Sequence, residues 1–98
     1  MLEHTFQKKV KKELKTIPSL YFFVKEAASL RGIPDLIGCV NGRFFAWELK
    51  RSEAEGNKTT GRIVLQKVTL NTINKCGGIG RVVYPENFEE CLEELKNL

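Results

Sequence analysis

GIPDLIGCVNGRFFAWELK, residues 32–50, decides the fold of this chain. It consists of two apolar runs joined by Asn41-Gly42. Asn-Gly is the strongest short hairpin signal, because a type I′ turn needs positive φ at both central positions and these residues tolerate it. Leu36 to Val40 and Arg43 to Lys50 therefore read as antiparallel strands, with Pro34 at the entry of the first. A two-residue loop fixes the register. Val40 faces Arg43, Cys39 faces Phe44, Ile37 faces Ala46, and one step further Asp35 faces Glu48. Directly opposed residues have β-carbons about 4.5–5.5 Å apart. Side chains alternate between faces, so Lys50 projects beside Glu48, while Leu36, Phe45, Trp47 and Leu49 take the other face.

This register raises an electrostatic problem. Like charges directly opposite destabilise a hairpin, and an ionised carboxylate in apolar surroundings is costly unless paired or bound to metal. A hard divalent cation reverses the sign, since Mg²⁺ favours one or two carboxylates together with water and phosphate oxygens. Lys50 is placed to stabilise charge developing on a phosphate or to help position a water.

Outward from the hairpin, residues 2–16 repeat Leu2, Phe6, Val10 and Leu14 at helical spacing, and Pro18 closes that helix. Residues 20–24 are rich in β-formers and read as a first strand, followed by a connection over 27–32. Residues 51–61 are polar and glycine-containing and read as a mobile loop. A helix is expected over 62–75, stopped by Gly77-Gly78, then a strand over 79–84. Asn87 and Glu90 have capping-box spacing for a last helix, whose stripe is Phe88, Cys91, Leu92 and Leu95. The order is α-β-β-β-α-β-α: an α/β chain with a mixed sheet flanked by helices, its β-α-β unit parallel and right-handed.

The chain's 98 residues fit one domain. No apolar run reaches the ~20 residues needed to span a bilayer, and the charged N-terminus lacks the apolar region of a signal peptide, so a soluble intracellular protein is expected. Cys39, Cys76 and Cys91 are odd in number and widely spaced, with one histidine, His4, to join them. They read as reduced core residues rather than a zinc site or disulfide framework. The net charge is +4, but the residues before 86 carry +8 and the rest −4. A basic body suits a polyanionic partner.

Further polar residues bear on a site. Gln66 falls on the buried stripe of the second helix with Ile63, Leu70 and Ile73, where a polar group needs a partner. That partner is either a backbone group or the carboxylate–lysine cluster. Glu3 and Glu13 both lie beside the apolar stripe of the first helix, and the sequence does not separate them. Lys8, Lys11, Lys12 and Lys15 share that helix's opposite side, as a solvated face or as phosphate contacts. Arg51, Lys58 and Arg62 are candidate DNA contacts in and after the 51–61 loop.

Pro34-Asp35 followed by Glu48-Leu49-Lys50 resembles the PD-(D/E)-x-K nuclease signature, and the element order resembles that superfamily's restriction-endonuclease-like core. More narrowly, residues 32–38, Trp47-Glu48-Leu49-Lys50, and Gln66 ahead of Cys76-Gly77-Gly78 resemble the VRR-NUC (virus-type replication-repair nuclease) family. The resemblance covers nearly the whole chain. It implies that Asp35, Glu48 and the Leu49 carbonyl hold Mg²⁺ or Mn²⁺, with Lys50 the catalytic lysine. Gln66 matches the family's helix glutamine and Glu3 its N-terminal acid. Stand-alone members of this size are similar to phage-encoded, homodimeric Holliday-junction resolvases. The expectation is therefore a metal-dependent endonuclease acting on branched double-stranded DNA as a homodimer, without organic cofactor. A flap or nicking nuclease, or a DNA-binding module that does not cut, are the alternatives.

Overall fold

The computed structural model describes residues 3–24 and 32–98; Leu2, the Glu3 side chain and residues 27–31 of the expected connection lie outside them. The elements are α1 (Glu3–Leu14), β1 (Ser19–Phe23), β2 (Leu36–Val40), β3 (Arg43–Leu49), α2 (Glu53–Gly56), α3 (Arg62–Lys75), β4 (Ile79–Val83) and α4 (Phe88–Lys96). The turn between β2 and β3 forms as its chemistry dictates, with Asn41 at φ 50° and Gly42 at φ 81°. β2 and β3 pair from Val40↔Arg43 through Leu36↔Trp47, the register that the two-residue loop imposes. β1 adds antiparallel to β2, and β4 adds parallel to β3, giving a four-stranded mixed sheet in the order β1-β2-β3-β4.

The two faces of the sheet have different fates. Leu36, Phe45, Trp47 and Leu49 point into one core with Phe6, Val10 and Leu14 of α1 and Phe88, Cys91, Leu92 and Leu95 of α4. Helices α1 and α4 therefore cover the same layer. Phe6 packs edge-to-face on Phe88 at 5.6 Å, and Phe88 on Trp47 at 6.2 Å. On the other face α3 lies over β3 and β4. A Cβ on Gly80 would meet the Leu70 carbonyl oxygen at 2.5 Å, so glycine is what allows this close approach. α3 ends where Gly77, at φ 91°, turns the chain; the Gly77 N–H donates to Asn74 O and the Gly78 N–H to Ile73 O. That pair of bonds is the Schellman arrangement expected of a glycine stop.

Three expectations from sequence are corrected. The 51–61 segment is not a mobile loop: it contains α2, whose Glu55 N–H donates to the Ser52 side chain. Gly56 is buried against Tyr84 and Val82, so the segment is packed onto the end of β4. Asn87 precedes α4 but its side chain does not cap it. It turns back to β4 instead, accepting from the Tyr84 N–H at 2.8 Å and donating to the Val82 carbonyl at 2.9 Å. Those groups lie on the outer edge of β4, and unpaired edge groups need partners more than an exposed helix start does. Finally, of three free cysteines only Cys91 is a core residue; Cys39 and Cys76 are exposed. Among the described residues no helix is long and apolar enough to cross a membrane.

Candidate functional site

The hairpin register delivers its acids to one place. The ladder ends at Leu36↔Trp47 because Pro34 has no N–H to continue it. Asp35 sits just beyond, its carbonyl accepting from the Val24 N–H at 2.8 Å. Its carboxylate oxygen Oδ2 accepts from the Leu49 N–H at 2.9 Å, filling the position a ladder acceptor would have held. Glu48 lies next to Asp35 on the face away from the main core, with only 2% of its surface exposed. It is the one buried charged residue among those described. Lys50 Nζ approaches Glu48 Oε2 at 3.3 Å, while Glu48 Oε1 has no hydrogen-bond partner. Burial, and then the charge of Asp35 beside it, push the Glu48 carboxyl up to about 8, more than Lys50 draws it down. Without a further cation this carboxyl holds its proton at neutral pH.

Gln66 reaches the same place by helix geometry. Ile73 of α3 lies over Gly78, and the Leu70 backbone over Gly80. One turn, ~5.4 Å, toward the start of α3 corresponds to about one two-residue step along β4. Gln66 therefore comes over the row containing Val82 and its partner Glu48. Its Oε1 is buried and unpartnered. The alternative in which this oxygen bonds a backbone group is not what the structure shows. Two buried acceptors without donors thus face one layer, an arrangement that costs free energy unless something electropositive joins them.

The donor set fits a hard cation. The Lys50 N–H donates to the Val83 carbonyl at 2.8 Å, toward β4. In a trans peptide the carbonyl preceding that N–H points the opposite way, so the Leu49 carbonyl is aimed toward Asp35. Carboxylate, carboxyl, backbone carbonyl and amide oxygens are the ligands that Mg²⁺ and Mn²⁺ accept. Among the described residues no third Asp, Glu, His or Cys joins the pair. Glu3 opens α1, and the Phe6–Phe88 contact puts this end of the helix where β4 has ended and α4 begins. Glu13 is at the other end of α1, close to Ser19, which pairs with Val40 beside the turn. The direction of α1 thus separates two acids that spacing alone left equal.

The basic residues divide between the layers. Lys8, Lys11, Lys12 and Lys15 lie on α1, across the sheet from Glu48; Lys11 covers the Phe23 ring at 4.8 Å. Arg51 and Lys58 are on the segment following Lys50 but share Glu55, at 3.5 and 3.0 Å. Lys58 beside it holds the Glu55 carboxyl below the usual range. Arg62 is exposed at the first turn of α3, one turn before Gln66. Lys67, which the sequence did not single out, donates to the Lys58 carbonyl at 3.2 Å and ties α3 to this segment. Its only signal was adjacency to Gln66. Comparison with known protein families, with curated proteins and with solved structures finds no match for this chain.

Proposed function

We propose that the chain is a Mg²⁺- or Mn²⁺-dependent endonuclease acting on branched double-stranded DNA, with four-way junctions as its substrate. The observation carrying this reading is Glu48: a buried acid beside a second acid, with one oxygen unpartnered and a lysine on the other. A structural ion pair does not account for it, because one lysine faces two carboxylates. Asp35, Glu48, the Leu49 carbonyl and the Gln66 amide oxygen would hold the ion. The ion would supply Lewis-acid polarisation of a phosphodiester and a lowered pKa for bound water.

The chain's own residues do the rest. Asp35 is fixed by the Leu49 N–H, so its second oxygen remains available on the side of Glu48. Glu48 gives up its proton when a cation arrives, and Lys50, already 3.3 Å away, stays as the positive group next to the scissile phosphate. Lys50 is partly exposed, its side chain at 24%, and so remains able to reach a phosphate. Arg62 and Lys67 on α3, with Arg51 and Lys58, are the nearby cations for the flanking backbone. Paired incision of a junction calls for two sites, and a two-fold dimer, the commonest oligomer, supplies them.

The test uses labelled four-way and flap junctions with Mg²⁺, with Mn²⁺ and with EDTA. Incision of the four-way junction is expected with either ion and is abolished by EDTA and by Glu48→Gln. No incision with either ion, or equal incision by Glu48→Gln, sinks the reading. Preferential cutting of the flap substitutes the flap-nuclease alternative.

A further inference from the structure

We infer that the layer carrying α3 is one half of an interface and that its occupant is a second copy of this chain. The large apolar side chains left exposed among the described residues are Leu20, Phe22, Ile33, Phe44, Val64, Leu65 and Val68. Strand register puts Leu20 beside Cys39 and Phe44, and Phe22 beside Ile37 and Ala46. These residues share the face that carries Glu48. Val64, Leu65 and Val68 are on α3, which covers the β3–β4 half of that same face. Ile33 adjoins Gly32, which lies against Leu65 and Thr69. All of them therefore belong to one layer, and the α1–α4 layer has none among the described residues.

The shape of this layer is self-complementary. α3 stands as a ridge on β3 and β4, and β1 and β2 form an uncovered step beside it. An isologous contact presents the same patch from both subunits, so the ridge of each copy fills the step of the other. The outcome is a sheet covered by helices on both faces, the way α/β layers bury their apolar surfaces. α3 also carries apolar residues on its outward side as well as toward the sheet, and a helix apolar all round is normally a buried one.

Charge and size select the same occupant. The step residues Leu20, Phe22, Ile37, Cys39 and Phe44 carry no charge, nor do positions 64, 65, 68, 69 and 72 along the ridge. Two copies of a +4 chain meet there without burying like charges. DNA is excluded as the occupant, since phosphate contact draws on Lys and Arg. The 14 residues of α3 give a ridge ~21 Å long and ~10 Å wide, and two five-residue strands a step of ~17 by ~10 Å. The projected patch is then ~400 Å², and side-chain relief raises its accessible area toward the ~800 Å² per partner of a standard interface.

Sedimentation equilibrium of the full chain at tens of micromolar tests this without reference to metal or DNA. The expected mass is twice the chain's 11.2 kDa. Val68→Lys and Leu20→Lys, both at exposed positions, are each expected to halve it while the circular dichroism spectrum stays unchanged. Should one variant unfold, the other gives the same answer. Glu89→Lys, on the exposed side of α4, is expected to leave the doubled mass unaltered. A wild-type chain of single mass overturns the assignment. So does a doubled mass that survives the ridge and step variants, or that is lost in Glu89→Lys. None of these outcomes bears on whether Glu48 holds a cation.

Discussion

At the residue scale, Glu48 is where folding and chemistry conflict. The folded chain holds its proton up to about pH 8, against 4.5 for an ordinary glutamate. Between those values the native state keeps a proton that the unfolded state has released, so stability falls as pH rises through that window. Glu48→Gln mimics the protonated form and has no proton to lose. In EDTA its melting temperature should match wild type near pH 5 and exceed it at pH 8.5. Even about 1 kcal/mol corresponds to ~4–8 °C for a domain of this size. Equal melting curves at both pH values would show that the carboxyl is ionised and paired. Because a cation must displace that proton, Mg²⁺ affinity measured by calorimetry should rise from pH 6 to 8 and then level off, with proton release in the rising range. Mg²⁺ should also raise the wild-type melting temperature at pH 8 and leave Glu48→Gln unmoved.

At the element scale, the contact of α3 with the sheet sets where Gln66 sits. Gly80 has no room for a Cβ, which would meet the Leu70 carbonyl oxygen at 2.5 Å and its Cα at 2.9 Å. Both are backbone atoms and cannot swing aside, so Gly80→Ala must push the helix away. The expected loss is about 1–3 kcal/mol, measured by urea unfolding with an unchanged m-value. Lifting α3 also withdraws Gln66 from Glu48, so Mg²⁺ affinity should fall in the variant. Native stability and affinity in Gly80→Ala would contradict this packing. The outer edge of β4 shows the same economy of polar groups. Asn74 accepts from the Gly80 N–H at 2.8 Å and donates to its carbonyl at 3.0 Å, and Asn87 treats Tyr84 and Val82 likewise. Two asparagine side chains thus satisfy the edge groups that would otherwise invite another strand.

At the scale of the whole molecule, the sheet separates an acidic-helix layer from the layer that bears the site. Glu94 of α4 grips Arg81 through both oxygens, at 3.1 and 2.8 Å, on the side away from Glu48. The five glutamates from residue 86 onward are thereby drawn off with α4, and Arg62 and Lys67 are left on the layer with Lys50. If that layer is also the dimer seam, the melting temperature should rise with protein concentration, because association is linked to folding. A melting temperature independent of concentration over two decades would argue against an obligate dimer.

The sequence by itself determined what short-range chemistry controls. Asn41-Gly42 allows one turn, the turn allows one register, and the register puts Asp35 and Glu48 side by side with Lys50. Helix α3 and strand β2 begin and end where periodicity and glycine placement put them. What only the tertiary structure decided depends on partners distant in the chain. Gly56 packing on Tyr84 turns a polar segment into a helical turn, and Asn87 leaves its helix because the edge of β4 offers unpaired groups. The direction of α1 across the sheet distinguishes Glu3 from Glu13. Local periodicity records which side of an element is apolar. It does not record which other element will meet that side, and that meeting fixes burial, the pKa of Glu48 and the apolar seam.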